Sequence, residues 1–376
     1  MTKRYLVIGN GILGAATAAR LASRGQQVTL LDSGSPEETA SARSLGWIND
    51  AAATSPAYHT LRTLGRLRLA HEQLRSSASW YHPSGRLDWG SSSDRQLLPT
   101  TTVAVSRESI DAEIARLASQ GQDIYPISAQ EAQSIEPTVD WSQVRGTVLY
   151  EPEDAWVDLP LLIHELNGVV KQHGGQIVPA RVNRLLTDEN HVVSGVQTVD
   201  GQTIDADNVI VAAGSATTKL LEPIADIPES SNIGVTITTE PVDNPPRTLL
   251  RIPFAGVRPD SSGRLVIVAS KLEELVDTPG QAVPEEAVRT LLDAVGNALE
   301  GKPELHAASV KVGIRPIPAD GYPVVGTIPG TNVSVVFTHS GATVGLLLGQ
   351  LLGDELVDGN EFHVLDDFRP QRFAAN

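Results

Sequence analysis

The apolar positions change period along the chain, and each change marks an element. Residues 5–8 form a short unbroken apolar run that stops at Gly9, the pattern of a strand buried on both faces. Ile12–Ser23, rich in alanine and leucine, reads as a helix ended by Gly25. Residues 28–31 read as the next buried strand, with Asp32 at its end. Between 56 and 76, Leu61, Leu64, Leu67, Leu69 and Leu74 recur near helical spacing with arginines between them. Residues 86–105 read as strands and a loop, 108–117 as a helix ended by Gly121, and 128–135 as a short helix with Ser128 as its cap. Further on, 159–173 is helical, and strands follow around 176–182, 192–198 and 203–204, with Asp200-Gly201 as a hairpin signal. Residues 208–213 are another buried strand, ending at Gly214. Five prolines between 222 and 247 suggest a crossing between domains. Strands over 249–269 are split by a turn at 259–263, and 284–299 is helical. The last part repeats the first theme: strand 333–337, a glycine-containing turn at 339–345, and a helix over 344–357.

This alternation predicts an α/β fold. At 376 residues the chain exceeds one simple core, so two domains, or one with a large insertion, are expected. Composition (41% hydrophobic, 20% charged) is that of an ordinary globular protein. The formal net charge of −16 repels phosphate backbones and anionic lipid, which argues against nucleic acid and membrane surfaces as partners. There is no cysteine, so disulfides, thiolate nucleophiles and cysteine-ligated metals drop out. No His/Asp/Glu cluster has metal spacing. The first apolar run is too short for a signal-peptide core, and no apolar stretch reaches 18 residues. A cytoplasmic protein is expected.

Gly9-Asn10-Gly11-Ile12-Leu13-Gly14 fits G-x-G-x-x-G between a strand and a helix. The first glycine allows the tight turn, and the second lets backbone approach a pyrophosphate. The third lets helix and strand pack closely, and the helix N-terminus faces the anion. Asp32, 18 residues after Gly14, is placed to accept hydrogen bonds from a ribose diol, which disfavours a 2′-phosphate and hence NADP. The motif leaves NAD and FAD open.

Other segments separate them. Asn208-Val209-Ile210-Val211-Ala212-Ala213-Gly214 is a second buried strand with a glycine turn. Downstream come Gly313-Ile314-Arg315-Pro316, Asp320-Gly321-Tyr322-Pro323-Val324-Val325-Gly326 and Thr338-His339-Ser340-Gly341-Ala342-Thr343-Val344-Gly345. With the run Thr39 to Asn49 and Gly263-Arg264-Leu265-Val266-Ile267, these blocks resemble the FAD-dependent D-amino-acid oxidase, glycine oxidase and sarcosine oxidase family over nearly the whole chain. The resemblance implies an FAD-binding Rossmann-like domain of the glutathione-reductase type with a discontinuous α+β substrate domain. It implies FAD-binding segments at 1–85, 145–225 and 310–376, and substrate segments at 86–144 and 226–309.

The same resemblance implies residue roles. Gly9, Gly11, Ile12, Leu13 and Gly14 would hold the pyrophosphate, with Asp32 and Ser33 at the adenosine ribose. Ser41, Ala42, Arg43, Gly46 and Trp47 would run along the pyrophosphate and flavin edge. Val182, Ala213 and Gly214 would lie near the adenine side. Gly341, Ala342, Thr343 and Val344 would surround the flavin pyrimidine, where helix-start amides favour negative charge. Arg315 would touch the flavin region and either pair with a substrate carboxylate or brace a loop. Trp47, Tyr58 and His59 would wall the substrate pocket, and Phe254 and Arg258 lie on the segment that faces the flavin in relatives, Arg258 as a second anion contact or a turn residue.

The implied reaction is oxidation of the C–N bond of a small amino acid or N-alkyl amino acid by hydride transfer to flavin N5, giving an imine that hydrolyses. Covalent relatives tether flavin through a cysteine, absent here, or a histidine where Arg43 stands, so FAD is expected to be non-covalent. A lysine that promotes reaction with oxygen in sarcosine oxidases is matched by Val266, which leaves oxygen or a quinone or other carrier as acceptor. The competing readings are an NAD-dependent dehydrogenase and a flavin-binding subunit without turnover.

Overall fold

The computed structural model describes residues 3–34, 39–50, 53–89, 108–144, 147–189, 192–278 and 280–374. The expected strands and loop over 86–105 therefore lie partly outside the described residues. Within them, Arg86–Asp88 is a strand.

Arg4–Ile8 occupies the middle of a six-stranded sheet. It pairs in parallel with Gln27–Asp32 on one side and Asn208–Val211 on the other. Gln176–Pro179 extends the first side. Val333–Phe337 extends the second in parallel, and Val324–Thr327 closes that edge antiparallel. Leu6, Val7, Val209, Ile210 and Val335 are buried, which is why these strands read as unbroken apolar runs. The chain leaves the central strand to one side and later returns on the other. The carboxyl end of Arg4–Ile8 is therefore a topological switch point, where open α/β sheets place their ligands. Gly9 sits there.

The helix Ile12–Ser23 buries ten of its twelve residues, so it has no exposed polar face. The long helix Gly341–Asp358 packs along it, and the sequence shows how. Gly341, Gly345, Gly349 and Gly353 recur every four residues and so share one face. A Cβ at Gly345 would lie 3.0 Å from Ile12 Cγ2, one at Gly349 2.5 Å from Ala16 Cβ, and one at Gly353 2.8 Å from Arg20 Cγ. This bare ridge lets the two helices touch and sets their N-termini side by side. Gly349→Ala should lower the thermal midpoint. Overpacking costs about 1–3 kcal/mol, more than the ~1 kcal/mol that alanine adds in helix propensity. An unchanged midpoint would show slack in the ridge.

Among the described residues the larger sheet has eight strands, in the order Ala307–Arg315, Asn232–Thr239, Leu265–Val268, Ala255–Pro259, Leu249–Ile252, Arg86–Asp88, Val148–Glu151 and Tyr125–Ile127. Among these described strands, the contact between Leu249–Ile252 and Arg86–Asp88 is parallel and the others are antiparallel. The helix Glu285–Asn297 buries Val288, Leu292 and Val295 in this sheet's core. Through Val148–Glu151 and Ala307–Arg315 the sheet reaches beyond the expected substrate segments 86–144 and 226–309. The proline-rich stretch 222–247, expected as a crossing, carries the strand Asn232–Thr239, which pairs along its length with Ala307–Arg315. Its prolines lie outside the strand and leave the ladder intact. Among the described residues no helix is long and apolar enough to cross a membrane.

Candidate active site

The glycine turn is built by close approaches. Gly9 has φ +101°, and its amide donates to Leu31 O at 2.9 Å. A Cβ there would sit 2.4 Å from Ala212 O, so the turn is wedged between the two neighbouring strands. A Cβ on Gly14 would fall 1.8 Å from Gly9 O, which fixes the helix against the strand end. Gly11 opens the helix with no side-chain cap and no acid in the first turn. The Ile12 amide meets Ser41 Oγ at 3.1 Å, so the segment after the second strand folds back onto the turn. Leu13 is buried in the core. Asp32 is buried and accepts from Asn10 Nδ2 at 3.3 Å, while Asn10 Oδ1 is buried without a partner. Ser33 is exposed beside it. Ala180 N donates to Asp32 O at 2.6 Å, and Val182 follows two residues after this contact. Ala213 packs against the sheet, and Gly214 follows at φ +58°.

The segment 39–50 then crosses towards the larger sheet. The Ala42 amide donates to Thr39 O at 3.1 Å. Arg43 donates to Val312 O, and its own carbonyl accepts from Thr236 Oγ1 at 2.6 Å. Gly46 lies against Val157, whose amide donates to Gly46 O at 2.9 Å. Trp47 donates its indole N–H to Asp154 Oδ2 at 2.8 Å, with the Arg86 guanidinium 4.7 Å from its ring centroid. Arg258 donates to Leu45 O and to Pro259 O (2.9 Å) and lies 4.5 Å over Trp156. Burial pushes Arg258 down to about 10, partly offset by Asp158 and Asp260. This arginine is spent holding backbone. Phe254 sits at the hairpin turn between Leu249–Ile252 and Ala255–Pro259 and packs against the larger sheet's core.

A second constellation gathers at the start of Gly341–Asp358. Ser55 caps the helix Pro56–Gln73 and so places Tyr58. Tyr58 OH donates to Ser340 Oγ at 2.7 Å, and its ring meets Tyr322 edge-on at 5.5 Å. Arg62, one turn on and buried, donates to the same Ser340 Oγ at 2.7 Å. Gly65 lets the two helices meet, since a Cβ there would be 2.4 Å from Thr343 O. Ala342 and Val344 pack into the core on this helix's first turn. His59 Nε2 is buried without a partner, and burial lowers the ring's pKa despite the pull of Asp50. His339 is pushed down to about 4 by burial, with Arg315 and Arg62 adding to the effect, so the ring is neutral.

Arg315 ends the strand Ala307–Arg315 and holds a carboxylate in its fork. Nη1 donates to Glu273 Oε2 at 2.9 Å, Nη2 to Glu273 Oε1, and Nη1 also to Ile233 O at 2.8 Å. The structure thus brings together the glycine turn with Ser41 and Asp32, and Tyr58 with the start of the last long helix, which meets that turn where Gly341 lies against Ile12. Trp47, Arg258 and Phe254 each have other partners. Arg62 and Glu273 escaped the sequence reading. Arg62 shares a helical face with Tyr58, Leu61, Gly65 and Leu69, and that spacing was the available signal.

The family pattern described as DAO, FAD dependent oxidoreductase, matches residues 4–355. The chain belongs to this family. It is an FAD-dependent oxidoreductase, and the NAD reading falls. A curated relative, the Bacillus subtilis (strain 168) "Uncharacterized oxidoreductase YurR", is 28% identical, with 94% of each chain covered. Among solved structures, iminodiacetate oxidase from Chelativorans sp. BNC1 superposes with TM-score 0.80 at 22% identity, covering 98% of this chain and 99% of that one. Glycine oxidase from Bacillus cereus ATCC 14579 gives 0.80 at 20%, covering 100% and 99%. The turn fits the cofactor this family uses: a helix start with a glycine N-cap and no acid in its first turn, a glycine that keeps strand and helix in contact, and the orphaned Asn10 oxygen beside Asp32.

Proposed function

We propose that this oxidoreductase oxidises the C–N bond of a small amino acid or N-alkyl amino acid carrying a carboxylate. The chemistry that bound FAD would supply is a hydride acceptor, at N5, for the carbon next to the substrate nitrogen. The resulting imine hydrolyses to a carbonyl product and ammonia or an amine. The names of the iminodiacetate and glycine oxidases support this substrate class. In this reading Gly9, Gly11, Ile12, Leu13 and Gly14 hold the pyrophosphate, and Asp32 the ribose. Ser41 orders the turn through the Ile12 amide. The first turn of Gly341–Asp358 meets the flavin pyrimidine, and Tyr58 and Tyr322 close the adjoining space. Six- and eight-stranded sheets serve as the cores of an FAD domain and a substrate domain. FAD is held without a covalent bond, since the chain has no cysteine and Arg43 reaches Val312 O. Dioxygen or a quinone or other carrier takes the electrons.

The observation that carries the substrate class is the Arg315 fork, which already binds a carboxylate bidentately. A substrate carboxylate would enter by displacing Glu273. The test is an anaerobic screen of D-, L- and N-methyl amino acids beside matched amines without a carboxylate, read as bleaching of flavin absorbance. Carboxylate-bearing substrates should bleach it, and admission of air then separates oxidase from dehydrogenase. Glu273→Gln should lower KM for such a substrate several-fold. Arg315→Ala should raise it about 10–100-fold, the loss of one charged hydrogen bond at about 1.5–3 kcal/mol, with FAD retained. Equal bleaching by the decarboxylated amines would defeat the assignment.

A further inference from the structure

Arg62 is 2% exposed, yet every acceptor it meets is neutral. Its Nε donates to Asn49 O at 2.9 Å and Nη2 to Asn49 Oδ1 at 3.0 Å. Nη1 donates to Ser340 Oγ at 2.7 Å and to Tyr58 OH at 3.3 Å, and Nη2 reaches Thr343 Oγ1 at 3.5 Å. Asp50, on the adjoining segment, is engaged instead by Thr63 Oγ1 and Arg66 Nε, each at 3.1 Å. A buried guanidinium without a counter-anion is costly. Its surroundings add to the positive field. The helices Ile12–Ser23 and Gly341–Asp358 bring their N-termini together at Ile12 and Gly341, and neither has an acid in its first turn. His339 beside them is neutral. In a chain of net charge −16, this locus waits for an anion.

We propose that Arg62 is a positioning residue that raises the reduction potential of the bound flavin, acting through Ser340 and Thr343 at the start of the last long helix. The inference rests on the placement of the flavin pyrimidine at that helix start. Reduction adds negative charge to the pyrimidine edge, so a fixed cation behind the helix start favours the reduced form over the oxidised one. Arg62 also holds the Ser340 hydroxyl, and with it Tyr58, in one arrangement.

The experiment compares the midpoint potential of FAD-loaded wild type, Arg62→Met, Arg62→Gln and Arg62→Lys. FAD affinity and the thermal midpoint are measured alongside. Removing the charge should make the bound flavin about tenfold harder to reduce, which for a two-electron couple is about 30 mV lower. Arg62→Gln keeps donors without the charge and should follow Arg62→Met. Arg62→Lys should return to the wild-type potential. Neutral variants that bind flavin and keep the wild-type potential overturn the proposal. So does a lysine variant that falls as far as methionine. Loss of folding in both neutral variants makes Arg62 a structural brace and overturns it too. A wild-type protein whose flavin binds but is not bleached by any amino acid would defeat the proposed substrate class and leave this electrostatic result standing.

Discussion

Gly14→Ala is expected to leave the chain unable to retain FAD through gel filtration. The added Cβ would lie 1.8 Å from Gly9 O and 3.0 Å from Gly9 C, both backbone atoms with no rotamer to yield. The helix Ile12–Ser23 cannot back away, because the glycine ridge of Gly341–Asp358 presses on its other side at Ile12, Ala16 and Arg20. The turn itself must open. That moves the Ile12 amide off Ser41 and shifts the helix start that receives the pyrophosphate. Loss of two charge-assisted hydrogen bonds there amounts to about 3–6 kcal/mol, a hundred- to ten-thousandfold in Kd. Titration of apoprotein with FAD, followed by flavin fluorescence, measures this directly. A Kd within a few-fold of wild type would show that the turn has room to adjust.

The same glycines explain why this end of the molecule was legible in advance. A G-x-G-x-x-G spacing is readable because each glycine answers a backbone contact within one strand–turn–helix unit, and the helix it opens runs Ile12–Ser23 as the pattern predicted. Buried parallel strands announce themselves as apolar runs for the same local reason. Charged residues carry no such record. Arg315 meets Glu273 across 42 positions, and Arg258 reaches the Leu45 carbonyl across 213. Nothing near Arg258 in sequence distinguishes an arginine that braces a carbonyl from one that waits for an anion. Arg62 looked like one more arginine among the leucines of Pro56–Gln73. Only its register with Leu61 and Gly65 hinted at burial. The strand Asn232–Thr239 was hidden by prolines on both flanks, whose effect stops at the strand ends. Periodicity reports on faces, and partner choice is decided by packing between elements far apart in the chain.

Partner choice is most concentrated at Arg86, where the largest effect on stability is expected. Arg86 is buried among three buried carboxylates: Nη1 donates to Asp88 Oδ2 at 2.9 Å, Nε to Asp154 Oδ2 at 2.9 Å, and Nη2 to Glu151 Oε1. Asp154 also receives the Trp47 indole N–H, so this hub ties the segment after the second strand to the larger sheet. Arg86→Met fills similar volume but strands the acids. Breaking a buried pair in this way costs about 3–5 kcal/mol, which should appear as a lower urea midpoint at pH 8 with the urea dependence unchanged. Burial and Glu151 push Asp154 up to about 8, although Arg86 pulls the other way. In the unfolded chain an aspartate titrates near ~4. Between those values the native state binds more protons than the unfolded one, so the Asp154 contribution is fully present below about pH 4. It is lost as pH rises towards about 8, at up to ~1.4 kcal/mol per pH unit. Asp154→Asn keeps an acceptor for Trp47 and removes the titration. Its urea midpoint should therefore be flatter than wild type between pH 5 and 8, and the Arg86→Met defect should be smaller at pH 5 than at pH 8. Parallel wild-type and Asp154→Asn profiles would show that Asp154 carries no extra proton in the fold. A methionine defect of equal size at both pH values would mean that lost packing around Arg86, rather than the stranded carboxylates, sets its cost.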